Sequence, residues 1–322
     1  MLRLMLNQCD EVVAPHPPHI LQMFFPLLPL YGDLEKQENF MLLANDVCEY
    51  VLANPVPWEI ESFDIEQIAA QCKNKSLVSI YQIVHEVYAK QQAANTWCCK
   101  SMANLYYIPQ IENEGLHPVY IHLVRDGRDV AASFRKAIVG EKHIYHLAKQ
   151  WLVEQETSKK FCQQFAPDRY VPVLYENLIH DTENTLRILF HRLGLTFTEK
   201  VLHFYEASEA KRTAEGGKMW DNVKRPVMEK NSNKFLTQLS EEEILIFESI
   251  AGDTLQHFGY TPFFVEEKRY QSFSLQQIAE FDLLNKSMKE NAVTTFDPEG
   301  MKKRKAQEEI LRRIKNRAGT AN

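Results

Sequence analysis

Glycine is scarce in this chain: 11 occur in 322 residues, and none comes before Gly32. Nowhere do they form the Gly-x-x-x-x-Gly-Lys-Ser/Thr loop with which nucleotide kinases cradle phosphates, so that chemistry has no support here. Long apolar runs are also missing. The best candidate, Leu21 to Leu30, is short and broken by Pro26 and Pro29, so it cannot span a bilayer as a helix. The N-terminus lacks the basic segment and small-residue cleavage site of a signal peptide, and nothing else in the chain exports it. The six cysteines form no C-x-x-C pair, and the adjacent Cys98 and Cys99 are poorly placed for an ordinary disulfide. Reduced thiols in the cytoplasm are the expectation. Excess positive charge is absent as well. The net charge is −6, which gives no reason to expect a nucleic-acid partner.

What the chain does have is an ordinary globular composition, 45% apolar and 25% charged, and a length that fits one large α/β domain, or one domain plus a small appendage. The charge is unevenly placed. From Met301 to Asn322, eight Lys or Arg stand against two Glu, a net of +6 that leaves −12 for the rest. Such a tail reads either as a docking arm for a membrane, a nucleic acid or an acidic partner, or as a solvated amphipathic helix. In the second reading Ile310, Leu311 and Ile314 form its apolar face.

Residues Met1 to Gln8 have the composition of a helix with no start signal before it. From Asn39 to about Ala94 apolar residues recur at three- and four-residue spacing, the pattern of helices. Val119 to Val124 is a short β-branched run after Pro118 and predicts a buried strand. Tyr170 to Leu174 predicts a second strand, with Pro172 suited to an edge or a bulge. A helix is expected from near Asp181, its face made by Leu186, Leu189, Phe190 and Leu193 and its stop by Gly194. Ser240 and Glu243 form a capping box for another helix that Gly259 closes. Strands alternating with helices imply a mostly parallel sheet covered on both faces.

The sharpest chemical signal is Val124-Arg125-Asp126-Gly127-Arg128-Asp129-Val130, with Ser133 following. A strand that ends in Arg and turns into a helix puts a guanidinium at the carboxyl edge of a parallel sheet, where open α/β folds bind ligands. Arg offers a planar fork of donors to a phosphate, and Ser133 adds a neutral donor from within the helix. Arg135 and Lys136 add positive charge one turn on. The bland alternative is a surface turn whose Arg and Asp residues pair with one another.

With Ile121 to Val130 and Ser133 in view, the segment resembles the 3′-phosphate-binding motif of the sulfotransferase superfamily, in the manner of bacterial and Golgi protein-tyrosine sulfotransferases. Other motifs follow in the family's order. Cys98-Cys99-Lys100-Ser101 is similar to its lysine motif, although Met102 stands where the family has proline. Tyr175-Glu176-Asn177-Leu178 and Leu193-Gly194-Leu195 resemble its Tyr-Glu-Asp-Leu and Leu-Gly-Leu pair. Trp220 to Val227, Asn233-Lys234-Phe235 and His257 to Tyr260 resemble its C-terminal flap. The resemblance runs from about Met1 to Pro262.

The fold it implies is α/β, a P-loop NTPase-like three-layer α/β/α arrangement with a mostly parallel sheet. It would occupy residues 1–263 with a helical insertion at about 39–96, followed by a helical, basic extension over 264–322. The donor implied is 3′-phosphoadenosine 5′-phosphosulfate (PAPS), with no metal. Arg125 and Ser133 would hold its 3′-phosphate, Tyr175 would contact the adenine side, and Lys234 would close over the phosphates. Lys100 would stabilise the in-line transfer of a sulfuryl group to an acceptor hydroxyl, with tyrosyl, carbohydrate, lipid and phenolic acceptors all open. His16 falls where the tyrosine-sulfating relatives place a catalytic Glu, and imidazole has a suitable proton affinity for a base. The alternative for His16 and His19 is that they only cap a proline-rich turn.

The family opens with a short strand and a Gly-rich loop whose amides bind the 5′-phosphosulfate. The helix after that loop resembles Leu2 to Asn7, and no glycine precedes it. The expectation is therefore a sulfotransferase lacking its first strand and P-loop, truncated at its start and impaired in transfer. The alternative is a non-catalytic nucleotide-binding or scaffold relative.

Overall fold

A computed structural model of the chain describes residues 1–137, 140–264, 270–294 and 298–319. In chain order the elements are α1 (Leu2–Leu6), β1 (Val12–Val13), α2 (Ile20–Phe24), α3 (Gln37–Leu52), α4 (Ile65–Gln71), α5 (Leu77–Gln91), β2 (Thr96–Trp97) and α6 (Ile108–Asn113). Then come β3 (Tyr120–Val124), α7 (Gly127–Phe134), α8 (Ile144–Phe165), β4 (Tyr170–Leu174), α9 (Tyr175–His180) and α10 (Thr182–Leu193). The series ends with α11 (Ser208–Glu215), α12 (Phe235–Gln238), α13 (Glu241–His257), α14 (Leu275–Thr294) and α15 (Pro298–Gly319). None of these helices is long and apolar enough to cross a membrane.

Local chemistry explains many of the boundaries. Asp64 caps α4 and Ser76 caps α5, each side chain accepting a backbone N–H from the first turn. Ser240 and Glu243 form the reciprocal capping box at the start of α13. Gly194 follows α10 with φ +66°, the left-handed geometry that ends a helix at no Cβ cost.

The chain divides into two compact units. Unit 1 comprises Met1–Pro118, Phe190–Pro226 and Asp297–Asn322, and unit 2 comprises Val119–Leu189 and Val227–Phe296. The parallel pairing expected from the sequence is present in each as a two-stranded pair. β1 and β2 pair in unit 1, and β3 and β4 in unit 2 with Tyr120 opposite Tyr170 and Val124 opposite Leu174.

The core of unit 1 gathers α2, α3 and α5 around Phe24, Phe40, Leu43, Val47, Ile80 and Val84. The basic helix α15 joins it. Ile314 is buried, with Ile310 and Leu311 packed against the same cluster. Gln307 donates to the Tyr50 carbonyl at 3.0 Å, and the Arg317 guanidinium pairs with Asp46. The amphipathic reading of the tail thus holds for its apolar face, which is buried within unit 1 rather than solvated. Residues 320–322 lie outside the described residues.

Unit 1 also buries an imidazole. His85 donates from Nδ1 to the Tyr81 carbonyl at 2.8 Å, and its ring lies among Trp58, Tyr81 and Trp97. Its Nε2 is buried with no hydrogen-bond partner among the described residues. Burial lowers its proton affinity to a pKa of about 4, against an ordinary 6.5. The unfolded chain therefore binds a proton that the folded chain does not between those values. Stability is complete above pH 6.5 and is lost as the pH falls from there to about 4. That shift corresponds to about 3 kcal/mol at pH 4. Urea titrations at pH 7 and pH 4, read by Trp fluorescence, are expected to show an acid loss that is smaller by about this amount in His85→Phe than in the unmodified chain. An equal acid loss in the variant would acquit His85.

In unit 2 the strand β3 departs from expectation. Only Val124 is buried, while Leu123 is 41% exposed. On β4 the paired residues Val171 and Val173 are buried, so that face is covered over β4 and left open over β3. An apolar run of this length cannot reveal such one-sided cover, because it depends on what packs above it. On the other face, His122 accepts or donates to Tyr170 and to Gln155 of α8. Around Val124 the core consists of Ala131, Ala148, Trp151, Phe247, Ala251 and Leu255 from α7, α8 and α13.

Candidate functional site

Unit 2 carries the strand–turn–helix corner. Arg125 follows β3, its backbone carbonyl fixed by the Trp151 indole N–H at 3.2 Å. Asp126 caps α7 by accepting the Arg128 N–H at 2.9 Å. Gly127 follows for a steric reason. A Cβ there would lie 2.5 Å from Phe247 and 2.6 Å from Trp151, so only hydrogen fits between the corner and α13.

Arg128 points into the core instead of toward solvent. It is 3% exposed, pairs with Asp126 at 2.7 Å and Glu248 at 2.6 Å, and donates to the Thr261 carbonyl. Glu248 is fully buried and also accepts the N–H groups of Phe263 and Phe264. Glu176 accepts the Asp126 N–H at 3.1 Å and the Tyr260 hydroxyl at 2.7 Å. Burial and that carboxylate push the Tyr260 phenol well above its usual range, so it is a fixed donor. Pairing within the turn is real, then, but it belongs to Arg128 and leaves Arg125 differently placed.

The Arg125 guanidinium lies over the Tyr175 ring, 4.6 Å from its centroid. It donates to the Asn231 carbonyl at 2.9 Å and comes within 3.5 Å of the buried Asp129 carboxylate. Its Nε is buried without a hydrogen-bond partner among the described residues. Asp129 accepts the Phe235 N–H at 2.9 Å, which places Lys234 one residue from an anchored point of the chain. Lys234 itself is exposed. Ser133 is exposed on α7 four residues beyond Asp129, one turn along the same helix face. The structure thus brings Arg125 and Tyr175 into contact and ties the backbone beside Lys234 to the Arg125 partner Asp129. Arg135 is compensated by Glu243 at 2.6 Å, while Lys136 donates to the neutral Gln238 amide at 3.0 Å and keeps its charge.

Asn231 had no signal of its own in the sequence, and Asp129 stood in the motif without an assigned role. Asn231 acts through its carbonyl and its amide, which donates to the Tyr175 hydroxyl, and those contacts span gaps of 106 and 56 residues.

Unit 1 gathers the other candidates. His16 lies against Trp220 edge-on, ring centroids 5.1 Å apart, and its carbonyl accepts from Asn54 at 3.0 Å and Trp58 at 2.9 Å. His19 has φ +58°, an uncommon geometry for a residue with a side chain, and its Nδ1 is 2.9 Å from the Ser101 hydroxyl. Arg3 of α1 donates to the Ala14 carbonyl at 2.6 Å and pairs with Glu209 at 2.8 Å, bracing the His16 loop. Burial first, then Arg3, His19, Lys100 and Arg304, push the His16 imidazole down to about 3. Burial, Lys100 and Arg304 hold His19 at about 4. Both rings are neutral at physiological pH. Desolvation and Arg3 also lower the proton affinity of Lys100, whose side chain is exposed.

Taken separately, each unit offers a recognisable chemistry. Unit 2 presents a guanidinium with a free buried donor beside a phenol ring, suited to a phosphate next to a flat base. Unit 1 presents an ammonium and two neutral imidazoles, suited to an anion and to proton acceptance.

Comparisons with known proteins bear on family and fold. The family model described as "Sulfotransferase family" matches residues 1–199. Among solved structures, the chain is similar to a sulfotransferase domain from the curacin biosynthetic pathway, with 20% identity and a TM-score of 0.50 over 80% of this chain and 92% of that one. It is also similar to a sulfotransferase domain from the Synechococcus PCC 7002 olefin synthase, with 20% identity and a TM-score of 0.49 over 78% and 89%. At this identity the likeness to the curacin domain speaks to fold alone. No curated protein matches the chain.

Proposed function

This chain belongs to the sulfotransferase family, and from that premise we propose that it binds PAPS and serves sulfuryl transfer to an acceptor hydroxyl. The observation that carries the reading is Arg125, a guanidinium with a buried, unpartnered Nε, stacked on Tyr175 at the end of β3. A 3′-phosphate would satisfy that donor, and Ser133 on the same helix face as Asp129 supplies a neutral one. Tyr175 would contact the adenine side. Lys234, beside the anchored Phe235 amide, would approach the phosphates. When bound, PAPS supplies a sulfuryl group on a phosphate leaving group.

The family resemblance assigns the remaining roles to Lys100 and His16. Lys100 neutralises charge that builds as the bond to the leaving oxygen weakens. His16 takes the proton of the acceptor hydroxyl. Its low proton affinity keeps the lone pair free at any pH above about 3, at the cost of basicity. Six free cysteines fit a reducing compartment, and we place the protein in the cytoplasm on that ground.

Calorimetry with 3′,5′-adenosine bisphosphate (PAP) and with 5′-AMP tests the nucleotide assignment. PAP is expected to bind about 100-fold more tightly, the value of one charge-assisted phosphate contact in a half-buried site. Equal binding of the two nucleotides would remove the 3′-phosphate site and with it the transferase reading.

A further inference from the structure

Helix α15 carries a cation that the family resemblance does not reach. Arg304 is half-buried and, among the described residues, makes no hydrogen bond or ion pair. Its neighbours fix where it sits. Lys303 donates to the Glu215 carbonyl at 2.8 Å, at the end of α11, and Gln307 donates to the buried Tyr50 carbonyl at 3.0 Å. Five residues beyond Glu215, Trp220 meets His16 edge-on. The turn of α15 that carries Arg304 is therefore held beside the end of α11 and the Tyr50 carbonyl, and the Arg304 charge helps to lower the proton affinity of both imidazoles.

The charge there is uncompensated. Arg3 is taken by Glu209, and Arg212 by Glu59 and Glu209. Glu308, one helical turn beyond Arg304, is exposed and not within ion-pair distance of it. Lys100 likewise has no carboxylate partner among the described residues. Lys100 adjoins Ser101, whose hydroxyl meets His19, and Arg304 lies on the stretch of α15 held to the end of α11; among the described residues neither cation has an ion-pair partner. Holding a half-buried guanidinium without a counter-charge is costly, and an anion is what would relieve it.

We infer that Arg304 is a specificity-determining residue for the acceptor, and that the acceptor carries an anionic group as well as its hydroxyl. The inference rests on the transferase reading, in which His16 faces the acceptor and Lys100 the transferring group. Arg304 is then the cation left over to hold the acceptor's own charge, and Trp220 gives an aromatic edge for an aryl acceptor.

The probes are 4-hydroxybenzoate and its neutral amide, 4-hydroxybenzamide, titrated into the full chain while the His16 and His19 ring signals are followed by NMR. The acid is expected to bind about tenfold more tightly than the amide, the effect of one charge-assisted contact. Arg304→Gln should erase that preference, and Arg304→Lys should retain most of it. Equal affinities in the unmodified chain, or an undiminished preference in Arg304→Gln, would overturn the assignment. So would inorganic sulfate binding that depends on Arg304 and abolishes the preference, because Arg304 would then serve a donor-sized anion. PAP selectivity over 5′-AMP, set in unit 2, is expected to survive Arg304→Gln. Its loss in the unmodified chain would sink the transferase reading separately.

Discussion

Arg125→Ala is expected to weaken PAP binding about 100-fold while changing the affinity for 5′-AMP little. The guanidinium contributes the charge-assisted donors that a 3′-phosphate needs, and a nucleotide lacking that phosphate has nothing to lose there. Arg125→Lys should recover only part of the binding, since an ammonium is a point charge without the planar fork and stacks poorly on Tyr175. The variant should also loosen the chain around Lys234. Arg125 holds the Asn231 carbonyl, and Asp129, its neighbour at 3.5 Å, holds the Phe235 amide. Faster amide exchange over residues 231–235 would report this. Calorimetry decides the main point: if the Ala variant binds PAP as tightly as the unmodified chain, the 3′-phosphate assignment is wrong.

The second large effect is on stability. Glu248 is fully buried, accepts from Arg128, and satisfies the Phe263 and Phe264 amides. Glu248→Ala leaves those two amides unsatisfied and gives the buried Arg128 only Asp126 to balance it. Removing one partner of such a pair costs about 3–5 kcal/mol. Glu248→Gln keeps an acceptor and loses the charge, so it should cost roughly half as much. Urea unfolding of both variants gives the comparison. A change below about 1 kcal/mol for the Ala variant would mean that the Arg128 network does not hold the corner. Because Asp126 both caps α7 and pairs with Arg128, the same variant should also weaken PAP binding.

The buried pair bears on how the Arg125-Asp-Gly-Arg-Asp129 motif is to be understood. Its two arginines are equivalent by composition and opposite by position. Arg128 is a core residue closed on both sides by acids, and Arg125 keeps a donor open. The spacing supplied the corner and the helix. It could not say which arginine serves the fold and which the ligand, because Glu248 lies 120 residues away.

Elements whose signals lie within one turn of helix were legible in the sequence. The Ser240 capping box, the Gly194 stop, the helix after Arg125 and the pairing-competent runs at 120–124 and 170–174 depend on hydrogen bonds or steric limits a few residues apart. The family's linked motifs were legible for the same reason, since each is a short local pattern. Tertiary structure alone decided that β3 is covered on one side, that α15 closes on the core of unit 1 through Ile314, and that Asn231 rests on Arg125. It alone put Arg304 near His16 and His19, nearly the whole length of the chain away. These choices follow from packing and charge balance between distant segments, and no local pattern encodes a contact whose partner lies a hundred residues on.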